Sequence, residues 1–206
     1  MRRLTLLLTM SLATVIAARA DGIDLTNKYG TVTITNSGIV SVGSELMSFN
    51  GITAPPGHSL GTLSFSTGTL SSGNIWKGGT FSSVGSSFDI IGRGQYGQPK
   101  GMIFNGAFVG TIDWTLIASN RQFHEYELSG VIEGQLSNGR TVFGKTAQTI
   151  YTFWNQERVD NKGNIYQGIT HMVVPESGTL LMMGTGLLTM VTLFRRRLSA
   201  RRDVKT

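Results

Sequence analysis

Three short stretches of the chain carry residue types that could do chemistry, and Gly57–Gly61 is the first. It matches the G-x-S-x-G pattern of a hydrolase nucleophile elbow, with Ser59 in the nucleophile position. The elbow needs a strand before the serine and a helix after it. Here Pro55 and Pro56 precede the motif and a β-like run follows it. We therefore predict a Pro/Gly turn, and keep a hydrolase using Ser59 as the least favoured of three functional hypotheses.

The second stretch, Gly92–Gly97, matches the G-x-G-x-x-G pattern of dinucleotide-binding loops. Such a loop must open a helix whose N-terminus meets the pyrophosphate. The residues that follow, Gln98–Gly101, include Pro99 and cannot begin an amphipathic helix of this kind. The pattern predicts a loop between strands, and we expect no nucleotide or other cofactor.

The third stretch places His124 beside Glu125 and Glu127, which suggests a metal site. On a strand, successive side chains point to opposite faces, so His124 faces away from both glutamates. The chain also has no cysteine, which excludes disulfides, thiolate zinc sites, iron–sulfur clusters and cysteine nucleophiles. We predict no metal site, no catalytic residue and no enzymatic activity.

Aromatic residues could instead stack on sugars, as they do in many β-sandwich carbohydrate modules. Trp114 has the spacing of a core residue, because Ile112, Trp114 and Leu116 share one face of a strand. Trp76 and Tyr96 lie in or near loops and are the better candidates. Binding of extracellular polysaccharide is therefore the second functional hypothesis.

The residues that could do chemistry are positioned by a body that reads as β-strands. Short apolar runs alternate with Gly, Ser and Thr, and no stretch shows helical periodicity. Gln122–Leu136 has apolar residues at its even positions, and the Asn138–Gly139 turn that follows is a strong hairpin signal. Thr67–Asn74 predicts a loop and Asp160–Asn164 a turn. We predict an all-β domain over residues 21–171, an antiparallel β-sandwich first and a flattened barrel second.

The charge distribution argues against a nucleic-acid partner. The chain has a net charge of +6, but residues 21–176 contain nine Lys and Arg against eleven Asp and Glu, a net charge of −2. The excess positive charge lies at the two ends, so the body has no basic patch for phosphates.

The N-terminus has the three parts of a secretory signal peptide. Arg2 and Arg3 form the charged region, and Leu4–Ala17 forms the apolar region. Ala18 and Ala20 flank Arg19 in an A-x-A cleavage site. We predict a signal peptide over residues 1–20, removed by signal peptidase, and a mature chain that begins at Asp21.

The C-terminus carries a short polar motif, an apolar segment and a basic block, in that order. The apolar segment, Gly178–Phe194, has no charged residue and would span roughly 25 Å as a helix. That length is at the short end for the hydrocarbon core of a bilayer. The basic residues that follow it favour a cytoplasmic end; they are Arg195, Arg196 and Arg197. We predict a transmembrane helix over residues 178–194 and a cytoplasmic tail over residues 198–206.

This order of elements resembles the PEP-CTERM sorting signal of bacterial exosortase substrates. The motif residues that carry the resemblance are Val174, Pro175, Glu176, Ser177, Gly178 and Thr179. Ser177 stands where the family has proline. The whole signal covers residues 172–197. The same motif also looks like a variant of the L-P-x-T-G sortase signal, which we place second.

The resemblance implies a localisation and a second processing partner besides signal peptidase. Pro175 and Glu176 would be recognised by an exosortase-like enzyme at the outer face of the inner membrane. The protein would be anchored there for a time and then delivered to the cell envelope or extracellular matrix. Our first hypothesis is therefore an exported, non-enzymatic envelope or matrix protein. The resemblance does not give the role of its β domain.

Overall fold

The computed structural model describes residues 22–155 and 158–174, with no side-chain description for residues 154–160. Residues 21–174 form one compact unit. The predicted signal peptide, the motif from Pro175 onward, the apolar segment 178–194, the three arginines and the tail 198–206 lie outside the described residues.

Twelve β-strands make up the described part. They are β1 (Gly22–Lys28), β2 (Thr31–Thr35), β3 (Gly38–Phe49), β4 (Ile52–Thr53), β5 (Gly61–Ser66), β6 (Leu70–Asn74), β7 (Gly78–Phe81), β8 (Ser87–Arg93), β9 (Lys100–Ser119), β10 (Phe123–Leu136), β11 (Thr141–Asn155) and β12 (Arg158–Val173). The predicted all-β class is confirmed.

Eight of these strands form one closed antiparallel barrel. The order around the barrel is β1–β3–β5–β8–β9–β10–β11–β12, and β12 returns to β1. Neighbours in space are mostly neighbours in the chain, as in an up-and-down barrel. The first and last strands close it, with Gly22 opposite Val173 and Asn27 opposite Gly168.

The β-sandwich that the sequence favoured is not confirmed, and the pairing supports the barrel that it placed second. A sandwich consists of two separate sheets packed face to face. Here β9 pairs with β8 through its first residues and with β10 along most of its length. The β9–β10 pair contains register shifts, and Gly110 has a positive φ of 76°. These irregularities curve the sheet, so it continues from β9 to β10 as one sheet.

The four remaining strands are additional to the eight barrel strands and pair with them or with each other. β2 pairs with both β12 and β3, β4 pairs with β3, and β7 links β9 to β6. Two local predictions were wrong. Thr67–Asn74 contains strand β6 rather than only a loop, and Asp160–Asn164 lies within β12 rather than in a turn.

The barrel interior is filled by side chains, as expected for eight strands. One group is aromatic: Phe65, Phe88, Phe104 and Phe108 pack with ring centroids 5.8 to 6.3 Å apart. Trp114 and Tyr126 stack with their centroids 4.4 Å apart. The aliphatic core residues include Leu25, Leu63, Ile90, Leu128, Ile132 and Ile150.

Within residues 22–155 and 158–174 there is no helix long and apolar enough to cross a membrane.

Candidate functional site

Ser59 does not lie in a nucleophile elbow. It is in the loop before β5, so a strand rather than a helix follows it. Its side chain is buried, and its Oγ has no hydrogen-bond partner among the described residues. An activated serine needs a base within hydrogen-bond reach. The neighbouring His58 is exposed, and its ring lies 6.0 Å from that of Tyr96.

Gly92 lies near the end of β8, and Gly94–Gly97 lies in the connection to β9, so the predicted loop between strands is confirmed for that part of the stretch. Gly92 is needed for packing, because a Cβ there would lie 2.2 Å from the carbonyl oxygen of Pro99. Gly94 and Gly97 have positive φ angles of 74° and 84°, which glycine adopts without strain. These glycines shape a turn, and no helix follows them.

His124 is buried, while Glu125 and Glu127 are partly exposed on the other side of β10. The predicted separation of the histidine from the two glutamates is confirmed. Among the described residues, no group of three His, Asp or Glu side chains could hold a metal ion.

A network of amides and hydroxyls lies inside the barrel where it closes. We call it the polar seam; its members are Asn27, Ser44, Thr146, Gln148 and Thr170. Asn27 Nδ2 donates to Ser44 Oγ at 2.8 Å and to Gln148 Oε1 at 2.9 Å. Gln148 Nε2 donates to Thr146 Oγ1 at 2.8 Å, and the hydroxyls of Thr146 and Thr170 are 2.8 Å apart.

The polar seam joins strands from the two ends of the chain. Asn27 is on β1, Gln148 is on β11, and β12 passes between them at Gly168. A Cβ at Gly168 would lie 2.1 Å from both Asn27 Oδ1 and Gln148 Oε1, so only glycine leaves room for this contact. The seam contains no acid or base. It stabilises the closed barrel and does not resemble a reaction centre.

Trp76, one of the two predicted sugar-stacking residues, packs against the core and is only partly exposed. Its carbonyl oxygen accepts a hydrogen bond of 3.0 Å from the Tyr126 hydroxyl. The other candidate, Tyr96, is exposed in the β8–β9 loop. The two residues are not brought together in any contact of the described chain.

Four aromatic side chains form a group on the outer surface of the barrel. We call it the aromatic face; it consists of Phe123, Tyr151, Phe153 and Tyr166. The ring of Tyr151 stacks on that of Tyr166 at 4.8 Å, and Phe123 lies 5.3 Å from Tyr151. Phe153 pairs with Phe123 across β10 and β11, and their neighbours His124 and Thr152 are buried, so both phenylalanines point outward. Phe153 and Tyr166 are 60% and 57% exposed.

The polar surroundings of the aromatic face include an acid. Glu125 is paired with Tyr151 across β10 and β11 and shares its outer face. Removal from water raises the pKa of the Tyr151 hydroxyl, and the charges of Glu125 and Tyr166 raise it further. Asn164 is the partner of Tyr151 on the other side, on β12. The sequence interpretation missed this group, because the alternation along β10 and β11 shows which residues share a side but not which strands become neighbours.

Of the predicted sorting residues, only Val174 lies within the described part. It follows β12 directly and is buried against the barrel core. The folded unit therefore extends to the first residue of the motif.

Comparison with known proteins gives no relative: no protein family, no curated protein and no solved structure matches this chain.

Proposed function

We propose that the protein is an exported, non-enzymatic component of the cell envelope or extracellular matrix. In this proposal signal peptidase removes residues 1–20. The apolar segment 178–194 crosses the inner membrane as a helix and anchors the barrel to it. An exosortase-like enzyme then releases the barrel at the motif 174–179. The body lies outside the cytoplasm throughout.

One observation supports this proposal more than any other. The compact unit begins at Asp21, next to the expected cleavage site, and ends at Val174, the first residue of the motif. Both segments that the proposal removes therefore lie beyond the bounds of this unit in the sequence, and the strands described for residues 22–155 and 158–174 do not include them. Those segments also contain all of the excess positive charge, because residues 21–174 have nine Lys and Arg against ten Asp and Glu.

The terminal segments are tested by mass spectrometry of the protein isolated from its native host. We expect a chain that begins at Asp21 and ends near Pro175–Glu176. Replacing Pro175 and Glu176 by alanine should leave the N-terminus unchanged but cause the anchored, unprocessed form to accumulate. A full-length chain in the cytoplasm with Met1 intact would contradict the proposal.

A second candidate function is binding of extracellular polysaccharide, and the aromatic face favours it. Exposed aromatic rings with polar neighbours are the usual means by which proteins hold ring-shaped, hydroxyl-rich ligands. The aromatic face offers more exposed ring surface than the half-buried Trp76. A polysaccharide pull-down that is unaffected by Tyr166→Ala would count against this function.

A further inference from the structure

The aromatic face has no free sheet edge at which a peptide strand could bind. β11, at its centre, is paired with β10 on one side and β12 on the other. Its backbone hydrogen-bonding groups are therefore already used. An extended peptide that binds by adding a strand needs a free sheet edge. The ligand must instead be recognised by side chains alone.

The aromatic rings offer contact to a ligand with flat, apolar faces. Tyr151 lies between Phe123 and Tyr166, so its ring faces are largely covered by these neighbours. Tyr166 and Phe153 are more than half exposed and provide the free ring surface. A pyranose ring has the size to cover such a side chain, with its C–H groups against the ring and its polar groups directed outward.

Two carboxylates give this surface a negative charge at its centre. Glu125 lies opposite Tyr151, and Glu127 is two residues further along the same outer side of β10. Neither forms an ion pair within the described part of the chain. Two exposed cations, Lys162 and Arg121, lie at the Phe153 and Phe123 end of the aromatic face, because Gly163 pairs with Thr152 and Arg121 precedes Phe123 by two residues. The two glutamates lie nearer to Tyr151, so the negative charge is on that side of the face. Aromatic rings and carboxylates both attract cations, and the carboxylates repel polyanions such as nucleic acids and uronic acid polymers.

We propose that the aromatic face binds a polysaccharide whose pyranose rings carry protonated amino groups. The sugar rings lie on Tyr166 and Phe153, and an ammonium group lies near Glu125. This inference rests on the second proposed function, polysaccharide binding, and specifies the chemical class of the ligand.

The experiment is a calorimetric titration of the full chain, in nonionic detergent, with three β-linked oligomers of equal length. They are oligomers of glucosamine, N-acetylglucosamine and glucose, compared at a mildly acidic pH that keeps the amines protonated. We expect glucosamine to bind about tenfold more tightly than the two neutral oligomers, because only it adds a cation. This preference should decrease at high salt.

Matched variants locate the site. Tyr166→Ala should lower the affinity for glucosamine oligomers about tenfold, whereas Tyr96→Ala removes an exposed tyrosine elsewhere and should have no effect. Glu125→Gln should reduce the preference for glucosamine about threefold. Glu133→Gln makes the same charge change on the same side of β10, but far from Tyr151, and should leave the preference unchanged.

Three results would overturn the inference. If all three oligomers bind equally, polysaccharide binding stands but the amine preference is wrong. If none binds, both are wrong. If oligolysine competes as well as glucosamine and Tyr166→Ala changes nothing, the surface recognises charge alone and the ligand is not a sugar.

Discussion

The closure of the barrel depends on Gly168, because a side chain at this position would not fit. Its φ is not in the left-handed region, so alanine could adopt its backbone conformation without strain. The added Cβ, however, would lie 2.1 Å from Asn27 Oδ1 and 2.1 Å from Gln148 Oε1. Non-bonded heavy atoms do not approach this closely, so Gly168→Ala must displace the two amides or the backbone of β12.

The cost follows from the hydrogen bonds that the displaced amides make. Moving Asn27 or Gln148 breaks the 2.9 Å bond between them and loosens the bonds to Ser44 and Thr146. Each buried polar group left without a partner costs about 1–3 kcal/mol. Alanine recovers about 0.5–1 kcal/mol relative to glycine in a strand. We expect a net loss of about 2–4 kcal/mol, which corresponds to a decrease in Tm of about 5–15 °C.

Thermal and urea unfolding, followed by circular dichroism, measure this loss. Gly22→Ala is the matched control, because it also lies in β1–β12 pairing but meets only the exposed His171 ring, at 3.2 Å. It should change stability by less than about 0.5 kcal/mol. Adding Gln148→Ala to Gly168→Ala should cost less than the sum of the two single changes, because the second change removes one of the two clashes and leaves room for Asn27 to move away from the other. A Gly168→Ala protein as stable as the parent, or strictly additive costs, would refute the steric explanation.

Two further predictions concern titratable groups. Burial raises the pKa of Tyr126, so the folded protein keeps this proton at a pH where the unfolded chain loses it. The stability contribution is therefore complete below pH ~10 and is lost as the pH rises through the folded pKa. In urea unfolding, Tyr126→Phe should reduce the loss of stability at alkaline pH. At neutral pH it should cost about 1 kcal/mol, because the hydrogen bond to the Trp76 carbonyl is lost. If stability falls with alkaline pH as steeply as in the parent protein, Tyr126 is not the group responsible. Asp24→Ala should change the free energy of unfolding by less than about 1 kcal/mol, because its 2.5 Å contact with His171 is exposed on both sides; a larger loss in the same unfolding assay would show that this pair holds β1 to β12.

The strands that the sequence predicted well are those whose inner side is apolar. β10 is an example: Tyr126, Leu128 and Ile132 alternate with polar residues, and all three are buried. The Asn138–Gly139 turn joins β10 to β11 as predicted, with a positive φ of 78° at Gly139. Here local pattern and tertiary position agree.

The failures lie where the interior is polar or where pairing joins distant residues. β1 was not predicted, because its inward positions end in Asn27, which looks like a surface residue but belongs to the polar seam. β6 contains a single large apolar residue, Leu70, and is a strand because it pairs with β7. Apolar–polar alternation is the same in a sandwich and a barrel, so the pair β1–β12 that closes the barrel could not be inferred from it. The aromatic face was missed for the same reason, since Phe123 and Tyr166 both contact Tyr151 only after three strands have paired.

The pairing of the first strand with the last also sets the order in which the protein can fold. Synthesis proceeds at about 5–20 residues per second, so roughly 7–30 s separate the appearance of β1 from that of β12. Until β12 is present, a sheet of the earlier strands would have an open edge at β1, with backbone groups free to pair with other chains. Asn27 and Ser44 line the inner side of that edge, and water can hydrate them until Gln148 arrives. The polar side chains that are buried in the folded barrel are therefore easier to hydrate at an unpaired β1 edge than apolar side chains would be.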